Sequence, residues 1–316
     1  MLSRLAALLA LIVGILAPSP PTHNLAPNPN FAAACATVGV HTLTCTAVTA
    51  DAIDHARRRE GLGPLYLPRD WTSLSPAEQI FVVTNLERVA RGERPVPGLT
   101  ARLDAIAAVG AANHTDPIPP PDPDPAASIW ANDQGPLASD YNWMYQDGWG
   151  GPGATLNLDC RSADAEGCWG HRDNILAEWF QMTRAGSLPP YVAAGAAQQA
   201  MENAESVPSV SDAMIVAVLP APPTYVYTWQ QAIAAGAASP SRGWNPVAGS
   251  QLMIALVTAW VFVRRYALEA LVLAYGLFYY WRHYRQGRTL GGTGGRRHPP
   301  RQTPDNVAKL ARYRRR

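Results

Sequence analysis

Across the 35 residues 247–281 only Arg264, Arg265 and Glu269 are charged. An apolar run of that length needs a cover, either the core of a large domain or a membrane. Its surroundings favour the membrane. It runs straight into a tail, 282–316, with 11 basic residues and one acid, Asp305, for a net charge of +10. Basic residues beside a span mark its cytoplasmic side. At the other end of the chain Arg4 precedes the apolar run Leu5–Ala17, the pattern of a secretory signal or an uncleaved anchor. The expected organisation is a signal peptide or signal anchor at 1–22 and an N-terminal extension at 23–69. An extracytoplasmic domain follows at 70–246, then a transmembrane region at 247–281 and a basic cytoplasmic tail at 282–316. One spanning helix with the tail inside satisfies the charge rule, whereas two short spans split at Arg264-Arg265 would leave the tail outside.

The tail dominates the formal charge of +2, so residues 1–281 together carry −8. Residues 23–246 hold 12 basic and 22 acidic side chains, a charge of −10. That balance argues against DNA, RNA or anionic lipid as the ligand of this domain. Only Lys309 among the 26 basic residues is a lysine, and with the abundant Ala, Gly and Pro this looks like a high-GC bacterial composition, which speaks of source and not of function. Four cysteines in an exported chain favour disulfides, with Cys35–Cys45 and Cys160–Cys168 as the local pairs. The spacing Cys160-x7-Cys168-x2-His171 leaves zinc ligation as the alternative.

Local patterns outline the domain. Asn24–Ala34 reads as a linker, and Asp54–Glu60 as a basic helical piece. Ser75-Pro76-Ala77-Glu78 forms a capping box, and Ile80, Val83, Leu86 and Val89 follow at helical spacing until Gly92. Thr100 caps a second helix with Leu103, Ile106 and Val109 inward. Six prolines in Asp116–Pro125 exclude helix and central strand. Ser139 caps a short helix through Met144, and another runs from about Arg172 to Met182. Strand signals come last, at Tyr191–Ala194, Ala213–Leu219 and Thr224–Trp229, the final two reading as a hairpin. Helices first and strands later indicate α+β.

The string Gly170-His171-Arg172-Asp173-Asn174-Ile175-Leu176 resembles the GHRxNIL motif of bacterial CAP-superfamily domains, relatives of cysteine-rich secretory, antigen 5 and pathogenesis-related proteins. Asn85-Leu86-Glu87-Arg88 with Arg91-Gly92, the stretch Asp140–Met144 and the closing Tyr225–Trp229 are similar to further parts of such domains. The resemblance covers about residues 70–230. It implies a CAP-like α-β-α sandwich ectodomain, followed here by the C-terminal transmembrane helix. It also implies a central cleft, lined in many members by two histidines and two acids, where some hold a divalent metal. His171 matches the motif histidine, and His114 stands where the other would come. The acids depart from the pattern. Ala127-Ser128-Ile129 replaces Gly-Glu-Asn, and Gln146 stands at the second acidic position, with Asp147 one residue later.

The expected ligand cleft therefore comprises His114, Asp147, Trp143 and Trp169 around His171. With the acidic set incomplete, the leading expectation is a membrane-tethered protein that binds a cell-envelope lipid or glycan without catalysis. The runner-up is a hydrolase of envelope peptide or ester bonds. There His171 would be catalytic, or would hold a divalent metal such as zinc together with His114. No Gly-x-Ser-x-Gly surrounds Ser139 or Ser162, so a serine nucleophile has no support. A third expectation is a scaffold that presents the ectodomain to a protein partner.

Overall fold

The computed structural model describes residues 21–119, 125–148, 159–181, 191–201 and 209–289. The leader, the Gly-rich loop from Trp149 to Gly153 and the tail beyond residue 289 lie outside the described residues. The chain divides into two compact units, Met1–Val261 and Phe262–Arg316.

The first unit is α+β, built on a five-stranded sheet. Its longest pair is antiparallel, β3 (Tyr191–Met201) with β4 (Ser209–Leu219), in register from Tyr191↔Leu219 to Met201↔Ser209. On the far side of β4 lies β2 (Ala126–Asp133), also antiparallel. On the far side of β3 lies β1 (Gly98–Leu99), parallel to it and itself paired with β5 (Tyr227–Thr228). The order is β2-β4-β3-β1-β5.

Alternation along a strand sends neighbours to opposite faces. Ala193, Ile215 and Ala217 pack against Leu103 and Ala107 of helix α4 (Ala101–Asn113). Ala194, Ala196, Met214 and Val216 point the other way into the main core, with Ile80, Phe81 and Val83 of α3 (Pro76–Ala90). Helices therefore cover both faces. Small side chains on β3 let α4 approach closely, and Gly195 marks the closest point. A Cβ there would lie 2.0 Å from the Leu103 carbonyl carbon. Gly195→Ala should cost about 2–3 kcal/mol, because backbone must move rather than a side chain. Urea denaturation would read this, and an unchanged midpoint would place α4 further from the sheet.

Helix α3 forms where its capping box predicts. Ser75 Oγ accepts the Glu78 N–H at 3.3 Å and Glu78 Oε2 accepts the Ser75 N–H at 2.7 Å. The Asn85–Arg88 string then acts as a stitch. Asn85 exchanges two hydrogen bonds with the Val96 backbone, and Arg88 donates to the carbonyls of Arg94, Ala177 and Ile175.

Several local expectations are corrected. The stretch read as a linker already contains α1, which starts at Phe31 (Phe31–Val38); α2 follows (Leu43–Arg59), and both contribute to the main core. Val109 is 59% exposed, because Leu103, Ala107 and Ala111 form the sheet-facing stripe of α4 instead. Helix α5 (Pro136–Tyr145) begins after Gly135, and Ser139 sits inside it with its hydroxyl on Asp212 Oδ2 at 2.7 Å. The motif helix α6 (Gly170–Leu176) is short and gives way to a 3₁₀ turn at Trp179–Gln181. The hairpin is β3–β4, not β4–β5, since β5 pairs with β1. A short helix α7 (Trp229–Ala234) follows β5, capped by Thr228 and Gln231.

The transmembrane expectation for 247–281 meets a different outcome. One continuous helix, α8 (Gln251–Thr289), carries this segment past the expected boundary at 281. Among the described residues no helix is both long and apolar enough to cross a membrane. Length is ample, 39 residues or about 58 Å. Arg264, Arg265 and Glu269 divide it, so the first uncharged stretch, Gln251–Val263, covers 13 residues, or about 20 Å against about 30 Å of hydrocarbon. Within the first unit, Ile254 and Val257 are buried while Leu252, Leu256 and Trp260 are exposed. In the second unit Phe262, Leu271, Leu273, Leu277 and Phe278 are all more than half exposed.

Candidate functional site

Asp147 lies two residues beyond α5, and three interactions place the motif helix against it. Gly148 pairs with Cys168 in an antiparallel bridge. The Trp169 N–H donates to the Asp147 carbonyl at 3.3 Å. The Arg172 N–H donates to Asp147 Oδ2 at 3.0 Å, so this carboxylate satisfies one of the donors left free in the first turn of α6. Cys160–Cys168 is a disulfide and fixes the loop just ahead of the motif, while Cys35–Cys45 joins α1 to α2. Both pairs follow the disulfide expectation. Thiolate zinc ligation by Cys160 and Cys168 is thereby overturned, since a bridged sulfur is no longer a thiolate.

His171 sits in a carboxylate clamp. Its Nδ1 is 2.9 Å from Asp147 Oδ1, and its Nε2 is 3.5 Å from Asp116 Oδ1. The histidine side chain is 29% exposed, Asp147 is 3% and Asp116 is 52%. Burial works against the charged ring, but the bonds from Asp116 and Asp147 outweigh it and raise its pKa to about 9. At neutral pH the ring is an imidazolium that donates from Nδ1 to Asp147 and turns Nε2 towards Asp116.

His114 has a different position from the one the resemblance implied. It caps the end of α4 in the left-handed conformation, φ 55°, and its side chain is exposed. The partner from that loop is Asp116, two residues on. No sequence signal distinguished it, because it opens the proline-rich stretch and matches no motif position. Trp143 and Trp169, expected in the ligand cleft, are 1% and 4% exposed and belong to the interior rather than to an open platform. The Trp169 indole donates to the Ser162 carbonyl at 2.9 Å. Asn174 donates to the Ser128 carbonyl at 3.1 Å, tying α6 to β2, and Ile175 is core.

Behind the clamp lies a buried ionic network that the sequence did not reveal. Arg172 Nη2 donates to Glu60 Oε2 at 2.7 Å and Nη1 donates to the Met144 carbonyl at 2.8 Å. Glu60 also accepts from Arg91 at 2.8 Å. Glu87, fully buried, accepts from Arg57 at 2.7 Å and from Arg91. Burial would raise the Glu87 pKa, but Arg57 and Arg91 override it and lower it to about 2. The network links the ends of α2 and α3 to α6, and Arg172, the residue after His171, is also held to α5 through the Met144 carbonyl.

The residue set does not fit the metal that some CAP-superfamily members hold. Both His171 nitrogens face carboxylates, His114 stands apart in role, and the cysteines are bridged. Among the described residues no three His, Cys, Asp or Glu side chains converge as a metal site. No hydroxyl or thiol hydrogen-bonds His171 among the described residues either. Compared with models of known families, with curated proteins and with solved structures, the chain finds no match.

Proposed function

We propose that the chain is a CAP-like extracytoplasmic binding protein, held at the cell membrane, whose His171 cleft takes a cell-envelope glycan or lipid without catalysis. The observation that carries this reading is the clamp on His171, with Asp147 on one nitrogen and Asp116 facing the other. A general base must be neutral to accept a proton. With a pKa of about 9, only about one ring in a hundred is neutral at pH 7. An imidazolium flanked by two carboxylates instead offers a fixed array of donors and acceptors, suited to a ligand rich in hydroxyl groups. The half-exposed Asp116 is the member a ligand would displace. The membrane setting rests on the exposed apolar side chains of α8, which lipid would cover.

A hydrolase remains the second reading because Asp147 holds Nδ1 as the orienting acid of a catalytic histidine does. The two separate on one variant. His171→Gln should weaken glycan or lipid binding at least about tenfold, the effect of losing charge-assisted bonds. No peptidase or esterase activity should be present to lose. Turnover by the native chain that disappears in His171→Gln, with thermal stability unchanged, would replace this proposal with the hydrolase.

A further inference from the structure

The end of α2 and the segment at 23–28 enclose an open groove of about 530 Å³. This size is in the range of small-ligand sites. His55, Arg58 and Arg59 line one side and His23 and Asn28 the other, with the buried Tyr141 at its edge. Three arginines in succession, 57 to 59, end α2, and helix geometry separates their fates. Arg57 turns inward to Glu87 and the Gly63 carbonyl. Arg58 and Arg59 are exposed, and no ion pair engages either among the described residues. The nearby acids of α2 are otherwise engaged. Asp54 is buried on the Leu65 N–H at 2.7 Å, and Asp51 lies 3.4 Å from His55.

Residues 23–246 hold 22 acids against 12 bases, so two adjacent guanidiniums that line a concavity with no ion pair among the described residues are conspicuous. Arginines in a last turn also complement the helix dipole. That role requires neither a groove nor histidines on both of its sides. We propose that this groove is a phosphate-binding site, in which the guanidinium forks of Arg58 and Arg59 take the anionic oxygens while His23 and His55 add donors. The phosphate is either free or carried in a lipid headgroup. The groove begins six residues after the apolar run Leu5–Ala17, at most about 20 Å of chain, which puts a lipid phosphate within reach of a retained leader.

The test is calorimetric titration of the full chain in neutral detergent, at low salt, with inorganic phosphate and with glycerophosphoglycerol, the deacylated headgroup of phosphatidylglycerol. The expected result is saturable binding that weakens at least about tenfold in Arg58→Gln/Arg59→Gln. Stronger binding of glycerophosphoglycerol assigns the lipid form, and equal or stronger binding of inorganic phosphate assigns the free form. Arg58→Gln/Arg59→Gln should leave glycan binding at the His171 cleft unchanged, so failure of this site and failure of that cleft remain distinguishable. No saturable binding of either probe up to about 10 mM would overturn the proposal, since that ceiling is weaker than any useful site. Binding unchanged in the double variant, with a lowered melting temperature, would also overturn it and leave the arginines as helix-end charges.

Discussion

Glu87→Ala should lower the unfolding free energy by about 3–5 kcal/mol, enough to unfold a marginal domain at 37 °C. Glu87 is fully buried and, among the described residues, is the only carboxylate paired with Arg57, while Arg91 keeps Glu60. Removing it strands the Arg57 guanidinium in a low-dielectric interior, with the Gly63 carbonyl as its remaining partner among the described residues. Breaking a buried pair is costly for that reason, even where forming it gains little. The lesion should spread to the clamp, because Glu60, Arg91 and Arg172 share the network. Urea denaturation with the disulfides intact would measure it, and a loss under about 1 kcal/mol would mean that water reaches Arg57.

Stability should also rise on acidification, from about pH 9 down to about pH 5. Burial raises Asp54 to about 6 and Asp212 to about 6, and burial with the nearby Asp212 raises Asp133 to about 7. Asp140, fully buried with neither oxygen hydrogen-bonded among the described residues, is raised as well, by burial and then by Glu87. His171 is raised to about 9. All these groups bind their protons more tightly folded than unfolded. Their contribution is full below the unfolded pKa values, about 4 for the aspartates and 6.5 for the histidine, and is lost as pH rises through the folded ones. Glu87 has the opposite sign, since its contribution is present above about 4.5 and lost as pH falls towards 2. The optimum should therefore lie near pH 4 or below, where the aspartates reach their full contribution and Glu87 begins to lose its own, and from pH 5 to pH 9 the loss should be at least about 4 kcal/mol after allowance for partial exposure of His171 and Asp133. Denaturation midpoints at pH 5, 7 and 9 would show the slope. A maximum at pH 8 would mean that these aspartates are ionised in the folded protein without penalty.

The sequence was most informative where structure is decided locally. The Ser75–Glu78 capping box and the Thr100 cap involve residues three apart, and both helices begin where those residues stand. Sheet pairing depends on distant partners, and there the reading failed. Strand β2 is a run of mostly small residues after a proline-rich stretch, with little alternation to mark it. Tyr225–Trp229 was legible as extended, but its partner is the two-residue β1, more than a hundred positions away. The site divides in the same way. His171 and Asp147 could be singled out from a motif and its spacing. Asp116 and Glu60 could not, because they reach the motif helix from loops and helix ends that only the tertiary fold brings near.

The most direct measurement is the titration of the His171 ring by ¹⁵N NMR on the full chain in detergent. The carboxylate clamp requires both nitrogens protonated at pH 7 and a midpoint near 9, falling towards the ordinary histidine range in Asp116→Asn. A midpoint at or below 6.5, with Nε2 unprotonated at neutral pH, would contradict it. His171 would then be a free base oriented by Asp147.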